Sequence, residues 1–163
     1  MYKAREIAVF FIEKGVTPLQ LQKLLYYSQV WFFVREKRKL FSDEIQAWIY
    51  GPVVREVWEQ LRFIRHSDII VRGRLGFSDL QDDTVLFLNE IWNSYGHLSG
   101  AQLVDLTHSE LPWKNSRKGL LSFEPSNKEV IINSNTTKEF ELGMRGEIPF
   151  VPKSEKKGFI SNF

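Results

Sequence analysis

Asp105, His108 and Glu110 are the residues of this chain whose types and spacing come nearest to chemistry. Residues three apart on a helix are neighbours, so Asp105 and His108 could offer two metal ligands from adjacent turns, or an acid–base pair. The sequence supplies no further ligand: His66 and His97 fall in loop-like contexts, and no His-Glu-x-x-His spacing occurs. Against the chemical reading, His108 shares a face with Ala101, Val104 and Leu111, as a half-buried, hydrogen-bonded histidine near a helix end does. Gly73 and Gly76, flanked by Arg72 and Arg74, lack the strand-to-helix context and the Lys-Ser/Thr pair of a phosphate-cradling loop. No Gly-x-Ser-x-Gly turn presents a serine nucleophile, and Asp82-Asp83 reads as the acidic start of a helix. With no Cys, the chain has no disulfide, thiolate zinc site or cysteine nucleophile. No catalytic residue, cofactor site or metal site is therefore nominated and the chain is read as non-enzymatic; an enzyme centred on Asp105, His108 and Glu110 is the alternative.

The elements that would position these residues follow from periodicity and caps. Ala4, Ile7, Ala8 and Phe11 predict a first helix over 3–14, stopped by Gly15. Thr17, Pro18 and Gln20 mark the start of a second helix over 18–36, with Val16 and Leu21 able to form a staple. This helix is apolar on nearly every face and must be surrounded by protein. The charged stretch from Arg35 to Lys39 suits its solvated end. Residues 45–50 read as a short strand and Gly51-Pro52 as a hinge. A third helix opens at Pro52 and carries Val54, Val57, Trp58 and Leu61 on one face. Residues 66–81 read as a loop. Asp82 or Asp83 caps a fourth helix with core positions Leu88, Ile91, Trp92 and Tyr95, ended by Gly96 in the left-handed conformation. Ser99 with Gln102, and Leu98 with Leu103, open a fifth helix that runs towards Pro112. Val130–Ile132 is a second short strand able to pair with 45–50, and a brief helix runs from Asn135 or Thr136 to about Leu142. The expectation is a mainly α domain over 1–142, a compact bundle of five to six helices around a central apolar helix with two short β segments. A polar tail over 143–163 follows it.

Composition sets the class. A chain of 163 residues with 43% hydrophobic and 26% charged residues suits one compact domain. No leader opens it and no apolar run reaches the roughly 20 residues of a membrane span, so a cytoplasmic protein is expected. The net charge of +2 is carried by Lys153, Lys156 and Lys157 against Glu155, which leaves 1–150 formally neutral. Arg62, Arg65, Arg72 and Arg74, interleaved with Phe63 and Phe77, could touch nucleic acid, as in a DNA-binding autoregulator. Asp68, Asp79, Asp82 and Asp83 counter that patch. Five Trp exceed the needs of helix packing, and Trp is a residue that anchors interfaces. Trp48 and Trp113, beside Gly51-Pro52 and Pro112, are the two that could be offered to a partner.

Three ordered blocks carry a resemblance. The first is Leu21-Gln22-Lys23-Leu24-Leu25-Tyr26-Tyr27-Ser28-Gln29, and the second is Ala47-Trp48-Ile49-Tyr50-Gly51-Pro52-Val53-Val54 with Val57. The third comprises Tyr95-Gly96 and Leu103-Val104-Asp105-Leu106-Thr107-His108-Ser109-Glu110-Leu111-Pro112-Trp113. Together, over roughly residues 5–142, the chain resembles the Panacea domain family of SocA-like or GepA-like phage-associated antitoxins. The loop at 66–81 and the tail carry no family pattern. The resemblance implies a non-enzymatic protein that neutralises a cognate protein toxin encoded nearby by direct binding, in one mode as an adaptor delivering it to a protease. A chaperone is a further potential partner. It also implies a scaffold role for Leu24, Tyr26, Tyr27, Gln29, Tyr50, Gly51, Pro52, Val53, Tyr95, Gly96, Leu103, Thr107, His108 and Pro112. Toxin contacts are expected from Trp48, Trp113 and the 62–77 segment with Arg62, Arg65, Arg72 and Arg74.

Overall fold

In the computed structural model, which describes residues 1–144, the fold is mainly α. Its elements are α1 (Ala4–Lys14), α2 (Pro18–Glu36), β1 (Ile45–Trp48), β2 (Gly51–Val54), α3 (Arg55–Leu61), α4 (Asp82–Tyr95), α5 (Gly100–His108), α6 (Leu111–Ser116) and α7 (Lys138–Met144). The expected tail, but for its first two residues, lies outside the described residues.

Helix α2 is the axis. Thr17 Oγ1 accepts from the Gln20 amide while Gln20 Oε1 accepts from that of Thr17, the reciprocal cap its sequence predicts. Every residue from Leu21 to Trp31 is buried, so its polar members must find partners inside the protein. Gln29 Oε1 accepts from the amides of Leu40 and Phe41, and its Nε2 donates to the Phe41 carbonyl. Two turns earlier on the same face, Gln22 Oε1 accepts from the Val54 amide at 2.8 Å and its Nε2 donates to the Val54 carbonyl. Each buried glutamine thus acts as a short stretch of strand. At the far end Lys37 takes the left-handed conformation, with φ 58°, and the charged residues 35–39 are exposed as expected.

The small sheet differs from its predicted form. β2 pairs antiparallel with β1, Trp48 opposite Gly51 and Ala47 opposite Pro52, so the segment assigned to the start of the third helix is strand and α3 opens at Arg55. Pro52 is tolerated because its pair with Ala47 uses no hydrogen bond between the strands: the Ala47 amide donates outward to the Lys128 carbonyl. The strand expected at 130–132 does not form; the chain instead meets β1 one residue earlier, in a single antiparallel bridge of Glu129 with Gln46 flanked by the bond from the Val130 amide to the Ile45 carbonyl. Gly51, at φ +109°, turns the hairpin against α2 and α5; a Cβ there would lie 2.7 Å from Lys23 Cε and 2.9 Å from Thr107 Oγ1. Gly51-Pro52 is therefore a packed corner, not a hinge.

Three further expectations change. Gly96 is right-handed, with φ −64°, and its small size is required because the Trp92 ring would lie 2.4 Å from a Cβ. Gln81 is the N-cap of α4, without a side-chain cap bond, while Asp82 and Asp83 occupy its first turn. α5 ends at His108, and Pro112 starts a separate short helix, α6, instead of terminating α5.

Candidate functional site: an apolar groove over a buried polar cluster

The N-terminal end of α2, the hairpin and α3 enclose an open groove of about 900 Å³. Its floor is apolar: Leu19, Ile49, Val53 and the indoles of Trp48 and Trp58 line it. The two indoles pack edge to face at 5.1 Å between centroids, and Trp48 Nε1 donates to Gln46 Oε1. Its rim is cationic, with Arg55, Arg62 and Arg65, His66 lies beside them, and no carboxylate among the described residues lines it. Glu59 pairs with Arg55 at 3.4 Å and Arg62 at 3.6 Å on the outer face of α3. Tyr50, 52% exposed, and Phe63, 84% exposed, stand at its edge or beside its rim arginines, with the Arg62 guanidinium 4.9 Å from the Phe63 ring.

At the bottom of the groove α2 contributes a buried amine. Lys23 is 0% exposed and its Nζ donates to the Pro52 carbonyl at 3.1 Å, beside the Val54 pairing made by Gln22. Burial pulls its ammonium down to about 7. A second polar knot lies nearer the middle of α2. Tyr27 OH donates to both Glu110 oxygens, at 2.9 and 3.1 Å, and Tyr26 OH to one of them at 3.3 Å. The Tyr27 ring stacks on that of Tyr95 at 4.0 Å, and Trp31 Nε1 donates to Tyr95 OH at 2.8 Å. Glu110 turns its carboxyl into this interior; burial raises it to about 8 against the pull of the two tyrosine hydroxyls.

Asp105, His108 and Glu110 do not converge. Glu110 faces the tyrosines, while His108 stacks on Trp113 at 3.9 Å. Burial and then the Lys23 charge lower His108 to about 4, partly opposed by a hydrogen bond to the Ile49 backbone. His108 is thus the half-buried residue near a helix end that its sequence context describes. His108 Nε2 and Asp105 Oδ2 are buried without a hydrogen-bond partner, and burial raises Asp105. Among the described residues no three His, Asp or Glu side chains are grouped so as to hold a metal ion.

Of the expected contact residues, Trp48, Arg62 and Arg65 are brought together on the groove. Trp113 lies behind it: half-buried, it donates from Nε1 to the Trp48 carbonyl at 2.8 Å and is tied into the scaffold. Arg72 and Arg74 are exposed but do not line the groove, and Arg72 pairs with Glu13 at 3.6 Å. The residues named as scaffold divide. Leu24, Tyr26, Tyr27, Gln29, Gly51, Pro52, Val53, Tyr95, Leu103, Thr107 and Pro112 are buried, whereas Tyr50 is exposed. Arg55, Trp58, Lys23 and Gln22 are groove residues that sequence reasoning passed over. The available signal was polarity inside an apolar helix, Gln22 and Gln29 seven residues apart with Lys23 between.

Residues 21–114 match the model of the family described as antitoxin SocA-like, Panacea domain, and the chain belongs to that family. This span holds the hairpin, α3 and most of the groove lining. The chain is also similar, at 20% identity over 122 residues, to a glycine–tRNA ligase of Mycoplasma capricolum subsp. capricolum. That alignment takes in 74% of this chain and 26% of the ligase, so the chain spans about a quarter of that protein's length. No solved structure matches. No helix among the described residues is long and apolar enough to cross a membrane.

Proposed function

We propose that this chain is the antitoxin of a toxin–antitoxin pair, a cytoplasmic protein that neutralises a cognate protein toxin by holding it directly, without catalysis. The observation that carries the reading is the antitoxin family match over 21–114, the stretch that builds the groove. An apolar floor with a polar, charged rim is the anatomy of a protein-binding surface, and a stable complex buries roughly 800 Å² on each partner. Residues 1–142 act as the binding unit. Handing the bound toxin to a protease is a further step of the same reading. The test is growth: the adjacent gene is induced alone and then together with this chain. Arrest alone with rescue on co-expression is expected; arrest without rescue overturns the reading. Comparing toxin half-life with and without the chain then separates masking, which leaves it unchanged or longer, from delivery to a protease, which shortens it.

A further inference from the structure

We infer that the groove takes an acidic amphipathic segment of a partner protein, its apolar side chains on the Trp48–Trp58 floor and its carboxylates against the α3 rim; as the site of toxin capture, this rests on the antitoxin reading. Charge complementarity selects the occupant. Arg55, Arg62 and Arg65 surround one side of the opening, no acidic residue among those described lines it, and one carboxylate, Glu59, is shared between two of the three guanidiniums. The rim therefore keeps a positive excess over a mainly apolar floor whose polar members, Gln22, Lys23 and Gln46 among them, carry no negative charge.

The other occupants fit less well. The segment beyond the described residues, 145–163, carries Arg145, Lys153, Lys156 and Lys157 against Glu147 and Glu155, so it shares the sign of the rim. A single-stranded RNA would need aromatic faces open for base stacking. Tyr50 and Phe63 stand exposed only at the edge, whereas on the floor the two indoles pack against each other and Leu19, Ile49 and Val53 supply aliphatic surface that no base requires. Arg62, the C-cap of α3, and Arg65, in the loop that follows it, are exposed and can be reversed without touching the core.

A phage-displayed library of random peptides is selected on the immobilised full chain, and the recovered peptides are measured by fluorescence anisotropy. Peptides combining Asp or Glu with aromatic or aliphatic residues are expected. Their affinity should fall about tenfold or more in the Arg62→Glu/Arg65→Glu double variant and weaken as salt rises. A peptide with its acidic positions changed to Lys should recover binding to that variant. Recovered peptides lacking acidic residues, affinities indifferent to the reversal, or displacement of the peptide by a uridine oligonucleotide would each overturn the inference. Unchanged thermal unfolding of the double variant establishes that the loss is not one of folding. If the wild-type chain rescues growth from its toxin and the double variant rescues equally, the groove assignment fails while the antitoxin reading stands. If nothing is rescued, the antitoxin reading fails and the peptide measurement still decides the groove.

Discussion

The carboxyl of Glu110 shows how far burial can move a single group and what that does to the fold. Its ordinary value is 4.5 and burial raises it to about 8, so between those limits the folded chain holds a proton that the unfolded chain has released. The stability this confers is complete below about 4.5 and is lost as pH rises through about 8. Lys23 and His108 run the other way. Lys23, lowered from 10.5 to about 7, contributes stability that is present above about 10.5 and lost by the time pH has fallen to about 7, and His108, lowered from 6.5 to about 4, loses its share between those two values. Comparison with Glu110→Gln isolates the Glu110 share, since Gln cannot titrate while its amide oxygen can still accept from Tyr27. Denaturant unfolding at a series of pH values should show the gap between the two proteins shift in favour of the variant as pH rises from 5 towards 8, by a few kcal/mol at most. Parallel profiles would mean that Glu110 ionises in the folded chain as it does in the unfolded one.

At the scale of elements, the hairpin is held as much by α2 as by its own ladder. The outer edge of β2 bonds to side chains of the helix, Val54 to Gln22 and Pro52 to Lys23. This explains why a two-stranded unit of four residues a side persists, since isolated hairpins are marginal in water. Gln22→Leu would keep the volume and remove the partner of the Val54 amide, whose carbonyl still accepts the first bond of α3, leaving a buried N–H unpaired at a cost of about 1–3 kcal/mol. Hydrogen exchange at the Val54 amide should accelerate well beyond that of amides in α4, which does not touch this edge; equal acceleration everywhere would reduce the effect to a global loss of stability. The same coupling accounts for what the sequence left illegible here. Val53 and Val54 continue an apolar pattern into Val57, Trp58 and Leu61, so helical periodicity extended the third helix back to Pro52. Strand pairing supplied by a distant glutamine has no local signature. Caps are local, and those at Thr17 and Ser99 were read correctly, because each partner lies three residues from the other.

For the whole molecule, the central apolar helix and the α class were legible because α2 is apolar around its full circumference, which only burial explains. The groove was not, because it is a property of three elements meeting: Trp48 comes from β1, Trp58 and Arg55 from α3, and Leu19 from α2. Sequence spacing could nominate Trp48, Arg62 and Arg65 but could not separate them from Trp113, Arg72 and Arg74. The same geometry makes a prediction about how much chain the function needs. α7 closes the opposite end of α2 from the groove, where Phe140 packs edge to face on Trp31 at 5.3 Å and Lys37 pairs with Glu141. Leu19 and Trp31 are twelve residues apart, which along a helix is about 18 Å. A chain ending at Met144 retains both contacts and every groove residue, and should rescue growth and unfold thermally as the full chain does. A chain ending at Thr137 keeps the groove but uncovers Trp31, and should melt several degrees lower while still binding the selected acidic peptides below its melting temperature. Loss of rescue in the first truncation, with unfolding unchanged, would instead give residues 145–163 a part in holding the toxin, and the binding unit would then extend beyond the helical domain.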